Sequence, residues 1–474
     1  MSLVLLCSLA VAEDRLLLSL PEALERAGAH NPSVENATQS LIAADGSLLA
    51  AQSSFGPSVS GETAWYASTN EGSGQFGEYY ADLSGWSATL GASQGFATGT
   101  ALSLNLENTQ SKYLYRLKGL DSEFTDEPQY QSKLSVSVSQ SLLQGLGFGY
   151  NLQAVRAARS AISVAEANRQ TARQTVLAGT AKAYWALSHA RRLADIARQT
   201  ASLQRAQGEV VTALVGAGRL ADVERLRMEA AIAQADRAVL LADDAAATAE
   251  DALVVLIGET PGATVELTTS PEPPQDLSLD PADVVNVVLQ GNPELVALRI
   301  QADAAAAAVR ADRQGLLPDL VATGSYNLQG YAPSLGGAWE ELGSATLPGW
   351  SLGARVDVPL LNQADRGALQ GSQAAEAQAQ IAVRSLEASL AEQARGQVRT
   401  VTSARENVRL CAQNVRLQEA TLLAERARVE EGRALQKDLI QAVRDLDNAK
   451  VEAEGASADY ETAIIELMRL EGKL

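Results

Sequence analysis

Residues 318–329, which read PDLVATGSYNLQ, decide the fold of this chain. Alternate positions of the stretch fall into two classes: apolar or small Leu320, Ala322, Gly324, Tyr326 and Leu328, and largely polar Val321, Thr323, Ser325, Asn327 and Gln329. Alternation with a period of two predicts a β-strand that has two chemically different faces. Such a strand suits a transmembrane barrel wall, with one face toward lipid and one toward the lumen, but a half-buried soluble sheet gives the same pattern.

The surroundings of this strand occur twice in the chain. Asn292-Pro293 lies 25 residues before Pro318, and Asn31-Pro32 lies 25 residues before Pro57. Each second proline, Pro57 and Pro318, marks a transition from helix to strand, and each strand region leads into a long Ala-rich helix. A two-fold repeat of this composition predicts an elongated tube that is built from several copies of the chain.

Aromatic residues concentrate in the two strand regions. Residues 57–150 and 318–361 hold 17 of the 21 Trp, Tyr and Phe residues. Five of these aromatics are predicted to lie near strand ends, as interfacial belts require: Trp65, Tyr66, Trp86, Tyr326 and Trp350. The alternative is that aromatic residues simply favour strands. On the belt interpretation, the Gly/Ser-rich stretches 68–85 and 330–349 are loops at the outer surface.

Two long helices complete the repeats. Residues 149–215 and 365–431 lack proline, and at 67 residues each would span roughly 100 Å as helix. Val401, Val408 and Val415 recur every seven residues, which predicts coiled-coil packing. Gly216 and Gly432 are predicted to be the turn glycines that end these helices. Each glycine precedes an aspartate by six residues, Asp222 and Asp438 respectively.

Composition excludes several classes of protein. A net charge of −19 argues against nucleic acid binding, and the two histidines and two cysteines form no cluster that predicts a metal site, a cofactor site or an enzyme. Residues 1–12 resemble a signal peptide whose true start may lie upstream, while lipidation of Cys7 is not favoured. No other apolar run reaches the ~18–20 residues of a membrane helix, so only strands could cross a membrane.

The predicted domain organisation follows from these patterns. The first repeat covers residues 13–258, with helices in 18–56, strands in 57–143 and a helical hairpin in 149–258. A proline-rich linker follows at 259–281. The second repeat covers 282–474, with a helix at 293–317, strands in 319–361 and a helical hairpin in 365–472.

The chain resembles the TolC-type outer membrane efflux proteins over residues 15–474. The resemblance is carried by the paired Asn-Pro…Pro helices, the two glycine–aspartate tips, and the junctions at 140–143 (QSLL) and 358–361 (VPLL). It implies a homotrimer whose strands form one β-barrel in the outer membrane lipid, expected to hold twelve strands, and whose helices continue as a periplasmic helical barrel. A periplasmic adaptor and an inner membrane pump would engage this duct, for efflux or for type I protein secretion.

The resemblance also suggests gate residues. Asp438 and Asp222 match aspartates at the closed periplasmic aperture, and Arg433 is adjacent to Ala434, which occupies the position of the gate arginine. Both aspartates could instead cap the following helix. The first half contains four strand-like stretches and the second half contains two. This difference leaves open whether the two stretches within 84–109 join the barrel. The alternative to the duct is a soluble or surface-exposed coiled-coil structural protein with a small β head.

Overall fold

A computed structural model describes residues 16–74, 77–119, 122–260, 262–270, 279–431, 433 and 436–474. The predicted signal peptide, Cys7, Gly432 and Ala434 lie outside these residues. The chain divides into a helical unit, formed by the described residues within 1–42, 164–298 and 382–474, and a sheet unit, formed by those within 43–163 and 299–381.

The two halves of the chain share an order of two short helices, a strand region, a long helix and a further helix, and the first half has more strands. The first half contains β1 (Leu16–Leu18), α1 (Leu20–His30), α2 (Pro32–Ser53), β2 (Pro57–Gly74), β3 (Gly77–Gly95), β4 (Thr100–Leu117), β5 (Glu123–Thr125), β6 (Gln129–Ser141), α3 (Phe148–Asn151), α4 (Gln153–Gly216), α5 (Asp222–Leu256) and β7 (Val265–Leu267). The second half contains α6 (Pro281–Gly291), α7 (Pro293–Gly315), β8 (Asp319–Ala332), α8 (Leu335–Ser344), β9 (Leu347–Asp357), α9 (Gln363–Glu430) and α10 (Gln436–Glu471).

The Asn-Pro pairs separate consecutive helices in both halves. Pro32 and Pro293 are the first residues of α2 and α7, where a missing N–H costs nothing. The Asn31 side chain accepts a hydrogen bond from the Ser33 N–H at 2.9 Å, and Asn292 accepts one from the Leu295 N–H at 3.2 Å. Each asparagine therefore caps the helix that its proline begins.

The sheet unit contains one continuous antiparallel sheet. Its strand order is β2-β3-β4-β6-β8-β9, with the short β5 beside the end of β4. Strands β3 and β4 are interior members of this sheet, so the strands within 84–109, whose place the sequence leaves open, belong to the same sheet as the other long strands. Pro57 begins β2 and Pro318 directly precedes β8, as their helix-to-strand role predicts.

Several segments differ from the sequence-based expectations. Residues 68–85 are not a loop, because β2 and β3 run through them to a hairpin. The predicted loop 330–349 contains α8. The predicted linker contains β7, which pairs in parallel with β1, and α6 precedes the predicted helix of the second repeat. Short apolar stretches such as VEL at 265–267 carry too little pattern to predict a strand.

The helical unit buries two hydrophobic clusters. The first surrounds Tyr184, whose ring meets Trp185 edge-on at 5.3 Å between centroids. The Tyr184 hydroxyl donates to the Leu18 carbonyl at 3.2 Å and accepts from the Thr269 N–H at 3.0 Å, which ties helix α4 to the residues around the β1–β7 pair. The second cluster joins α6, α7, α9 and α10, and includes Val288, Leu295 and Val401.

Candidate functional site: a two-faced sheet and two helix tips

The sheet has one apolar and one polar face. Cross-strand partners lie on the same face, so the register assigns every strand residue to one of the two. The apolar face presents exposed side chains on all six long strands: Val59, Leu90, Leu102, Leu104, Val136, Val138, Tyr326, Trp350, Leu352 and Val356. Leu352 is 80 % exposed, and a soluble protein would have to cover such a continuous apolar face.

The polar face is rich in hydroxyl groups. Cross-strand serine pairs contact each other at Ser58–Ser93 (2.8 Å), Ser103–Ser137 (2.5 Å) and Ser325–Ser351 (2.8 Å). A shallow groove of about 370 Å³ follows these pairs across the sheet. Such a surface can contact water or polar solutes at every position, as the inner wall of a channel requires.

Most of the predicted interfacial aromatics lie near the middle of their strands. Trp65 pairs with Trp86 near the middle of β2 and β3, and Tyr326 pairs with Trp350. The predicted position near a strand end is therefore wrong for Trp65, Trp86 and Tyr326, whereas Trp350 lies three residues from the start of β9. Beyond Trp86 the apolar face becomes charged, with an ion pair between Asp82 and Arg116 at 2.6 Å.

Tyr66 differs from the other predicted belt residues. It follows Trp65 directly and therefore lies on the opposite, polar face. Its hydroxyl donates to the Gln110 carbonyl at 3.2 Å, and its ring lies over Gly85. A position on the polar face excludes Tyr66 from a lipid-facing belt, so this prediction is wrong.

The first helix tip joins α4 to α5. Gly216 is the last residue of α4, and the left-handed conformation belongs to Gly218, whose φ is 68°. The Gly218 N–H donates to the Val215 carbonyl at 2.9 Å and the Arg219 N–H to the Leu214 carbonyl at 2.9 Å, which is a Schellman motif. The turn glycine is thus Gly218 rather than Gly216.

Asp222 lies in the first turn of α5 and does not cap it. The N-cap residue is Ala221, and the Asp222 carboxylate accepts a hydrogen bond from Arg225 Nε at 2.9 Å. This hydrogen bond and the positive charge of Arg225 lower the pKa of Asp222. Asp222 is 64 % exposed and its charge is paired with Arg225.

The second helix tip joins α9 to α10. Asp438 lies in the first turn of α10 and is half-buried. Arg433 is exposed and forms an ion pair with Glu431 at 3.0 Å. Both tips thus place an aspartate one helical turn or less into the helix that follows the turn.

A buried polar cluster joins α4 to α10, which the sequence did not reveal. His189 is 4 % exposed, and its Nδ1 lies 3.1 Å from Glu454 Oε2. Arg192 donates to the same oxygen at 3.4 Å. The hydrogen bond from His189, followed by the charge of Arg192, lowers the pKa of Glu454. Sequence separation of more than 250 residues hides this contact from any local pattern.

Two properties of the described residues bear on function. Among them, no group of three or more His, Cys, Asp or Glu side chains is arranged to hold a metal ion. No helix in the part of the chain that the structure describes is long and apolar enough to span a bilayer.

Comparison with known proteins assigns the family. Residues 114–259 and 284–473 match the outer membrane efflux protein family, which covers most of the chain. The chain belongs to this family of outer membrane transport channels. Membership overturns the alternative of a soluble coiled-coil protein and accounts for the two-fold repeat. No curated protein sequence matches the chain.

Solved structures share the fold over nearly the whole chain. The outer-membrane channel OprN superposes with a TM-score of 0.71 at 17% identity, covering 96% of this chain and 90% of that one. VceC from Vibrio cholerae gives 0.69 at 18% identity, covering 96% of each chain. The open state of MtrE from Neisseria gonorrhoeae gives 0.65 at 18% identity, covering 96% and 88%.

Proposed function

We propose that three copies of this chain form the exit duct of a tripartite efflux system or of a type I secretion system. The observation that carries this proposal is the division of all six long strands into an apolar and a polar face in a member of an outer membrane efflux family. β2 and β9 end the path of long strands, so β2 of one copy would pair with β9 of the next and close the wall. The duct conducts solutes passively and performs no chemistry.

The tryptophans support a barrel of ordinary tilt. Trp350 lies in register, through the intervening strands, with Val59, which is six residues from Trp65 on β2. The offset of six residues is measured along the strand, at about 3.3 Å per residue. It accumulates over five steps from one strand to the next, each about 4.8 Å wide. Trp65 and Trp350 would then lie at one height if the strands tilt by about 40°, which is within the range of membrane barrels.

The strand count of the proposed barrel exceeds the expected twelve. Three six-stranded sheets would close eighteen strands. Leu90, Leu102 and Leu104 continue the apolar face across β3 and β4, so this pair would face lipid as the other strands do. Barrels of 16–18 strands enclose an aqueous channel, and the outer mouth would then not limit conduction.

The helix tips would form the periplasmic aperture. Asp222, Asp438 and Arg433 supply charge there, Gly218 forms the turn of the first tip, and Gly432 stays the predicted turn glycine of the second. Three apolar side chains near the first tip are about half exposed: Val210, Val223 and Leu226. Such a surface suits docking of a periplasmic adaptor, which would connect the duct to an inner membrane pump. Gating by these residues and the adaptor contact are proposals that rest on the family.

Planar-bilayer recording tests the duct, after native mass measurement in detergent. We expect a trimer with small, cation-selective conductance that multivalent cations block. Asp438→Ala should raise the closed-state conductance and weaken the block by cations. The reason is that the substitution removes the three carboxylates that the trimer would place around the aperture to bind cations. The exposed Asp459→Ala on the same helix is the control. A protein that is not trimeric, or that never conducts, would overturn the duct, whereas unchanged block in Asp438→Ala removes only this residue from the gate.

A further inference from the structure

Helix α8 packs against the apolar face of the sheet. Gly330 of β8 lies on this face, and a Cβ atom there would meet the Ala338 carbonyl oxygen at 2.1 Å and the Leu342 nitrogen at 2.5 Å. Ala338 and Leu342 are correspondingly buried. The Tyr331 N–H donates to Glu341 Oε2 at 2.7 Å, and Ser334 caps the helix by accepting from the Gly337 N–H at 3.2 Å. The contacts with the sheet therefore fix the helix over residues 338–342.

The contact covers polar groups that would otherwise interrupt the apolar face. Ser132 is the cross-strand partner of both Gly330 and Asn108, and it is fully buried. Its hydroxyl donates to Asn108 Oδ1 at 2.8 Å. Exposure of such a pair to lipid would be costly, because lipid offers no hydrogen bonds. α8 contacts β8 and β6 and so shields the Ser132 end of this pair, while Asn108 is half-buried.

A second apolar stripe of α8 is left exposed. Leu335 and Trp339 are one helical turn apart and are 37 % and 43 % exposed. They lie beside the buried stripe of Ala338 and Leu342, whereas the neighbouring Glu340 is exposed. The helix thus presents an aromatic and an aliphatic side chain next to the apolar face of the sheet.

We propose that α8 is an interfacial helix, whose Leu335 and Trp339 insert into the outer leaflet of the membrane. The apolar stripe continues the face that meets lipid, and Trp is the side chain that prefers the boundary between headgroups and acyl chains. A second copy of the chain is a poorer occupant. α8 lies over β6 and β8, and β9 separates β8 from the edge where the next copy would pair.

Site-directed spin labelling distinguishes these surroundings. Trp339→Cys is made in a Cys7→Ser, Cys411→Ser background, labelled with a nitroxide and reconstituted into vesicles of phosphatidylethanolamine and phosphatidylglycerol. Power saturation then compares relaxation by oxygen, which partitions into lipid, with relaxation by a water-soluble nickel chelate. Glu340→Cys is the matched control on the same helix, and Leu352→Cys marks the lipid-facing strand surface.

The expected result is an oxygen-to-nickel accessibility ratio at position 339 several-fold above that at position 340, and close to that at position 352. A ratio at 339 equal to that at 340 would overturn the proposal, since the stripe would then face water. Strong immobilisation of the label at position 339, with dipolar broadening between labels, would also overturn the proposal. It would show that the stripe contacts a second copy of the chain instead of lipid. Leu335→Cys repeats the test if Trp339→Cys fails to assemble.

Discussion

At the scale of single residues, the α4–α5 tip shows why a glycine pattern predicts a turn but not its geometry. Gly216 and Gly218 are two residues apart, and only Gly218 has a positive φ. The sequence correctly indicates that the helix ends near residue 216. The choice between the two glycines depends on which carbonyl groups the turn must satisfy, namely those of Leu214 and Val215.

Substitutions at these two glycines should have opposite effects. Gly218→Ala should destabilise the tip by about 1 kcal/mol, because a Cβ atom disfavours the left-handed conformation. Gly216→Ala should stabilise it by up to about 1 kcal/mol, since Gly216 is helical and no described atom lies within 4 Å of a Cβ placed there. Hydrogen exchange of residues 210–225 measures both effects. Equal exchange in the two variants would show that the left-handed residue is not Gly218.

The His189–Glu454 contact predicts a dependence of stability on pH. The pKa of Glu454 is lowered in the folded protein from its ordinary value of 4.5. Its stabilising contribution, about 2 kcal/mol for a hydrogen-bonded charge, is therefore present above pH 4.5 and is lost as pH falls through the folded pKa. Glu454→Gln should melt earlier than the parent at pH 7, and the gap should narrow on acidification.

Thermal melts between pH 7 and pH 3 check this prediction. Glu452→Gln, an exposed carboxylate two residues earlier on α10, is the control and should leave the melting temperature nearly unchanged. A gap between the parent and Glu454→Gln that stays constant over the whole range would contradict the linkage.

At the scale of elements, strands were predictable where one face is apolar and unpredictable where both faces are polar. The alternation of Leu320, Ala322 and Tyr326 correctly predicts β8. Residues 68–74 of β2, by contrast, read STNEGSG and resemble a loop, but they pair residue by residue with β3. Outside the apolar band a strand needs no hydrophobic residues, because backbone pairing and cross-strand polar contacts such as Thr69–Asp82 hold it.

The docking of α8 predicts another pair of opposite effects. Gly330→Ala should loosen α8, because backbone atoms of Ala338 and Leu342 occupy the space that its Cβ requires. Gly336→Ala, on the same helix with no described atom within 4 Å, should strengthen the helix by up to about 1 kcal/mol. Limited proteolysis at residues 333–346 reads out both, with faster cleavage in Gly330→Ala. Cleavage at the parent rate in Gly330→Ala would show that α8 is not seated on Gly330.

At the scale of the whole molecule, the repeat is visible in sequence but the candidate site is only partly so. The Asn-Pro pairs and helix lengths identify the two-fold organisation, since both depend on local rules for helix capping and termination. The opposite faces of Trp65 and Tyr66 follow from strand alternation alone. The burial of His189, by contrast, depends on contacts with a distant helix, which no local pattern gives. The place of β3 inside the sheet likewise follows only from its pairing with β2 and β4.

Closure of the wall predicts which strands of neighbouring copies meet. In the Cys7→Ser, Cys411→Ser background, cysteines on the polar faces of the two edge strands, Ser58 or Ser60 with Ser351 or Gly353, should form disulfides between copies for at least one register. The disulfide requires Cα atoms about 4.4–6.8 Å apart, so only directly paired strands qualify. Oxidised samples on denaturing gels should show monomer, dimer and trimer bands and nothing larger.

Thr89→Cys with Ser351→Cys is the control, because β3 is separated from the edge by β2. Crosslinking of the control would mean that β3 rather than β2 meets the next copy. In that case β2 would lie outside the wall, and eighteen strands could not close it.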